Sequence, residues 1–107
     1  MKLSIDTTDN RMTKLELDGK ALVKTYATPR EQNLLAAIDE LLSREGVTVK
    51  EIKAIEVNVG PGAFTSTRVG VAVANSLGYA LQVPVNDQGV EVPVVPAYGQ
   101  EPHITGV

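Results

Sequence analysis

The stretch from Ala54 to Arg68 constrains this chain more than any other. A β-branched run, Ala54-Ile55-Glu56-Val57-Asn58-Val59, stops at Gly60-Pro61-Gly62 and gives way to the hydroxyl-rich Thr65-Ser66-Thr67. An inner strand, a tight turn and a helix start must therefore follow one another directly. Glycine supplies backbone angles that other residues adopt only with strain. The spacing predicts a helix from about Thr65 to Leu81, stopped by Pro84. Val69, Val71 and Val73 lower its intrinsic propensity, so packing must hold it.

The preceding half supplies a sheet and a second helix. Leu3 and Ile5 alternate with Lys2, Ser4 and Asp6, the period of a half-buried strand. Met12 to Leu17 alternates again, and Asp18-Gly19 predicts a type I′ hairpin turn into a return strand over Ala21–Ala27. Thr28, Pro29 and Glu31 resemble a helix start. Leu34, Leu35, Ile38, Leu41 and Leu42 give that helix an apolar stripe, over about 29–45, before Gly46. Val83–Val85 and Val90–Val95 are candidate strand pieces, the latter demoted by Pro93. The order is βββαβα plus a terminal strand, an α/β mixed sheet with helices packed on it. The first strand is expected centrally, between the second and fourth. With 107 residues, one domain over 1–95 and a loosely ordered tail over 96–107 are expected.

Composition excludes several chemistries. There is no cysteine, so no disulfide framework, thiol nucleophile or Cys-ligated zinc site can form. His103, in the tail, is the single histidine. The 13 acidic residues outnumber the 10 basic ones, which disfavours autonomous nucleic-acid binding. No apolar run approaches the length of a membrane span, and a cytoplasmic setting is expected.

Three constellations could carry function. Gly60-Pro61-Gly62 before a helix could present free amides to an anion, but it lacks a Walker lysine. A turn capped by Thr65 or Ser66 is the commoner use of such a sequence. Asp6-Thr7-Thr8 could hold a metal–phosphate group, or form a simple Asx turn. Ser66, Gly70, Ala74 and Gly78 recur every fourth residue and form one smooth helix face. That face suits close helix approach, either to a partner or to this chain's own core. Val69, Val73, Leu77 and Leu81 form an apolar stripe beside it.

Gly60-Pro61-Gly62-Ala63-Phe64-Thr65-Ser66-Thr67-Arg68-Val69-Gly70 resembles the Gly-Pro-Gly-Ser-Phe-Thr-Gly-x-Arg-x-Gly signature of the TsaB (YeaZ) family. Ile5-Asp6-Thr7-Thr8 resembles that family's opening element, and 34–42 and 47–55 resemble its first helix and the segment after it. The similarity spans roughly residues 1–87. It implies a single actin-like, ribonuclease H-like lobe related to the catalytic subunit TsaD, without that subunit's metal-binding histidines. It also implies a non-catalytic partner in synthesis of threonylcarbamoyl-adenosine on tRNA. In that system TsaC makes threonylcarbamoyl-AMP, TsaD transfers the group, and TsaE hydrolyses ATP.

Family members pair through lobe helices, with TsaD or as homodimers. On that basis Leu34, Ile38, Ser66, Arg68, Gly70, Ala74, Leu77 and Gly78 are expected to form a partner interface. No catalytic residue, metal or cofactor is expected. The alternative is a nucleotide-binding half-domain that acts as a dimer and uses Asp6, Thr7, Thr8, Gly60 and Gly62. Three departures stand out: Ala63 replaces the signature Ser, Ser66 replaces the later Gly, and no His opens the first helix. Family members are also about twice as long. The tail's Pro96-Ala97-Tyr98 resembles the Pro-x-Tyr ending of longer members, as a naturally short form would.

Overall fold

The computed structural model describes residues 1–88 and 94–96. Strands β1 (Lys2–Asp6), β2 (Met12–Leu17), β3 (Lys20–Thr25) and β4 (Ala54–Val57) form one sheet in the order β3-β2-β1-β4. β1 pairs antiparallel with β2 and parallel with β4, so it is central, as its sequence predicts. Asp18 (φ 46°) and Gly19 (φ 88°) make the β2–β3 turn with both residues at positive φ, as a type I′ turn requires.

Helices α1 (Leu34–Glu45) and α2 (Phe64–Leu81) lie on one face of the sheet. α1 covers β2 and β3, and α2 covers β4 and β1. The reason is the strand alternation. Leu3, Ile5, Leu15, Leu17, Ile55 and Val57 all point to this side and are buried with Leu41, Ile38 and Val71. Each such aliphatic side chain contributes roughly 1.5–3 kcal/mol when withdrawn from water. The opposite face carries Lys2, Asp6, Lys14, Glu16 and Glu56. Its Lys2–Glu56 pair, at 3.5 Å and half exposed, adds little.

The helix starts differ from expectation at α1. Thr28 and Pro29 open only a 3₁₀ turn, Pro29–Glu31, in which Thr28 makes no side-chain cap. Gln32 is extended (φ −68°, ψ 124°), which breaks the path, and α1 begins anew at Asn33. Asn33 Oδ1 accepts from the Ala36 amide at 3.1 Å. Gly46 ends α1 in the left-handed conformation (φ 66°), as predicted. α2 starts within a residue of its predicted position. It ends at Gln82 (φ 57°), whose amide returns to Gly78 and Tyr79, before Pro84 is reached.

Among the described residues the expected terminal strand shrinks to isolated bridges at Val85, parallel to Ile55 and antiparallel to Gln88. Asn86 explains this. It sits at φ 51°, and its side chain takes the place of a strand residue on β4. Asn86 Oδ1 accepts from the Val57 amide at 2.8 Å, and Nδ2 donates to Val57 O at 3.0 Å. Residues 90–93 of the other strand candidate lie outside the described residues. Val94 and Val95 are in no strand. Asn75 holds Val94 against α2, with Nδ2 donating to Val94 O (2.9 Å) and Oδ1 accepting from Val94 N (3.0 Å). His103 and the rest of 97–107 also lie outside the described residues.

If α1 is nucleated at Asn33, Asn33→Ala should cost about 1 kcal/mol in urea unfolding. Thr28→Ala should stay within about 0.5 kcal/mol. Equal losses at the two positions would contradict the observed helix start.

Candidate functional site

The end of β1 and the glycine turn meet, and their polar groups bind one another. Asp6 Oδ1 accepts from the Thr8 amide (3.0 Å) and from Thr8 Oγ1 (2.7 Å), an Asx-type turn. Its Oδ2 accepts from Asn58 Nδ2 at 3.1 Å, and Asn58 Oδ1 accepts from the Gly60 amide at 3.0 Å. Gly60 has φ 108°, a value only glycine adopts without strain. Thr8 O accepts from the Ala63 amide at 2.8 Å. The backbone of Gly62 lies so close that a Cβ there would sit 2.5 Å from Thr8 Cβ. Thr7 Oγ1 donates to Ser66 O at 2.6 Å in a buried setting.

Asp6, Thr7, Thr8, Gly60 and Gly62 are thus brought together, as a phosphate reading needs. However, the side chains of Asp6, Thr7 and Thr8 are all engaged within the chain. Burial alone pushes the Asp6 carboxyl up. The hydrogen bonds from Thr8 and Asn58, with nearby Lys14, outweigh burial and hold it below the usual carboxylate range. The residues act as a tie between β1, β4 and α2. Among the described residues, no group of three or more His, Cys, Asp or Glu is placed to hold a metal ion.

The small-residue face of α2 lies elsewhere than expected. Ser66, Gly70, Ala74 and Gly78 are buried against this chain's own sheet. A Cβ on Gly70 would collide with Thr7 Oγ1, and one on Gly78 with the Val85 side chain. Leu34 and Ile38 also point into the core. The expected interface therefore fails at these six positions, because the sheet has already claimed the groove. Of the remaining two, Leu77 is half-buried and Arg68 is exposed, its guanidinium 5.3 Å from the centre of the Phe64 ring.

What faces outward is the neighbouring stripe. Leu35 is 62% exposed, Val69 43% and Phe64 42%. An open cleft of about 400 Å³ runs between the helices, lined by Leu35, Ala72, Val73, Ser76, Leu77 and Ala80. It contains no charged residue. Val73 and Leu77 were visible as a second apolar stripe. The sequence places Leu35 in one apolar stripe with Leu34, Ile38, Leu41 and Leu42, but the structure leaves it at the edge of that stripe, outside the core. Ala72, Ser76 and Ala80 also repeat every fourth residue, a second small-residue row that the Ser66–Gly70–Ala74–Gly78 row overshadows in the sequence.

This geometry is that of a known family. Residues 26–87 match the profile "TsaD: tRNA N6-adenosine threonylcarbamoyltransferase". The chain belongs to this TsaD-related family, and its TsaB/YeaZ members are among its relatives. It is similar to the tRNA threonylcarbamoyladenosine biosynthesis protein TsaB of Escherichia coli K12, at 31% identity over 86 residues. That match covers 78% of this chain and 37% of the relative. It is also similar to a tRNA N6-adenosine threonylcarbamoyltransferase of Phocaeicola vulgatus, 31% identical over 67% of this chain and 21% of that protein. The solved structure of YeaZ from Pseudomonas aeruginosa superposes with a TM-score of 0.65 and 36% identity, covering 78% of this chain and 42% of the other. The chain thus matches about two-fifths or less of each relative's length. Among the described residues, no helix is long and apolar enough to cross a membrane.

A carboxyl held below its ordinary value contributes stability that is complete above the unfolded-state value and lost as pH falls through the folded one. Asp6→Asn should therefore destabilise at neutral pH and flatten the acid limb of stability against pH. Chemical unfolding from pH 7 down through the carboxylate range reads this out. Parallel acid limbs for the two proteins would contradict the tie.

Proposed function

We propose that this chain is a non-catalytic docking subunit of the tRNA threonylcarbamoyl-adenosine machinery. It binds a TsaD-type catalytic subunit through the exposed faces of α1 and α2. The observation that carries this reading is the uncharged cleft between Leu35 and the Val73–Leu77 stripe. Exposed apolar surface flanked by polar residues is what a protein interface leaves on its free subunit. Family membership supports the choice of partner. The engagement of Asp6, Thr7 and Thr8 within the chain favours docking over the alternative of a nucleotide-binding half-domain.

Leu35→Arg tests the docking face. Leu35 is mostly exposed, so the variant should melt with the parent. Seating a guanidinium in an apolar contact should weaken binding to the cognate TsaD-type subunit roughly tenfold or more, about 1.4 kcal/mol. Threonylcarbamoylation of tRNA, with TsaC and TsaE supplied, should fall in parallel. Glu16→Lys, on the far face of the sheet, should leave both unchanged. Undiminished binding by Leu35→Arg would overturn the assignment. A homodimer that ignores the TsaD-type subunit would overturn the choice of partner.

A further inference from the structure

Asn75 stands in the interior of α2, where asparagine is a poor helix former. What it holds explains its place. Nδ2 donates to Val94 O at 2.9 Å, and Oδ1 accepts from Val94 N at 3.0 Å. A side-chain amide presents a donor and an acceptor side by side, as a peptide group does. Both meet a single residue here, as paired residues do across an antiparallel ladder. Asn86 engages Val57 with the same two contacts at the edge of β4. The chain thus uses the device twice, once on the sheet and once to seat a later segment on a helix.

The seated segment is shaped for this contact. Val94 is 7% exposed and joins the core cluster, whereas Val95 is 72% exposed. One residue in and the next out is the alternation of extended backbone. Val95 precedes Pro96, and a residue before proline is biased towards extended angles. Pro96 itself has no N–H to leave unpaired. Among the described residues, the two bonds to Asn75 are the only hydrogen bonds that Val94–Pro96 makes. Asn75 lies two positions after Val73, about 200° around a helix of 3.6 residues per turn. Neither Asn75 nor the segment lines the apolar cleft beside α1.

We infer that the flank of α2 around Asn75 is a docking site for extended backbone, and that the chain's own Val94–Pro96 occupies it as a strap. The strap opens and closes by itself, with the sheet and the cleft between the helices intact. Opening it breaks two hydrogen bonds and exposes one valine. Opening the sheet would expose the whole core, so the two events differ widely in frequency.

Amide hydrogen exchange of the ¹⁵N-labelled full chain at pH 7 tests the strap. The Val94 amide should exchange roughly tenfold or more slower than in an unstructured peptide. It should still exchange roughly tenfold or more faster than the amides of the central strand β1. Asn75→Leu removes both contacts and favours the helix, so Val94 should lose its protection. Protection of β1 should fall by no more than the same factor, because the closed strap stabilises the fold only by its own closure. Asn75→Asp keeps an acceptor but turns an oxygen towards Val94 O, and should release the strap as well. The strap is overturned if the Val94 amide of the parent exchanges as an unstructured peptide does. It is equally overturned if both variants keep the parent's protection at Val94. Exchange of Val94 at the rate of β1 would overturn independent opening.

Discussion

The structure depends on how closely the α2 backbone approaches the end of β1. Gly70 sits against Thr7, whose hydroxyl donates to Ser66 O at 2.6 Å. Any side chain at 70 would push the helix outward. With the helix seated there, Ser66, Ala74 and Gly78 fall in line against the sheet, and Gly78 settles onto Val85. The same contact fixes the turn before the helix, because Gly62 must pass Thr8 just as closely. Asp6 and Asn58 then tie that turn to the ends of β1 and β4.

This contact also decides which face of α2 is left over. Seating the small residues on the sheet turns Val69 outward and leaves Val73 and Leu77 only half-covered beside α1. The exposed apolar cleft is thus a consequence of the fold's tightest packing. A small-residue stripe permits close approach by any neighbour, and here the nearest neighbour is intramolecular. The docking proposal rests on the apolar stripe that remains.

Much of the architecture was legible in the sequence. The period-two alternation of β1 and β2, the Asp18-Gly19 turn, the Gly46 stop and the span of α2 all follow from local rules that tertiary packing did not override. The errors came where two local signals competed. Thr28-Pro29-Glu31 carried the stronger helix-start pattern, yet Gln32 is extended, and Asn33 took the cap. The Val83–Val85 run looked like a strand, but Asn86 satisfied Val57 with its side chain and ended the pairing. The direction of the small-residue face was not legible, because four-residue spacing gives a stripe and not the identity of what covers it. Nor was the uncapped start of α2, since hydroxyls at Thr65 and Ser66 suggest a cap they do not make.

The central claim is the contact of Gly70 with Thr7, and a double-mutant cycle in urea tests it most directly. Gly70→Ala alone should destabilise by about 1–3 kcal/mol, because the methyl has no room. Thr7→Ala opens that room, so the double variant should be more stable than additivity allows, by about 0.5–3 kcal/mol. If helix propensity governed instead, Gly70→Ala would stabilise by up to about 1 kcal/mol. That result, or effects that add within about 0.3–0.5 kcal/mol, would contradict the account.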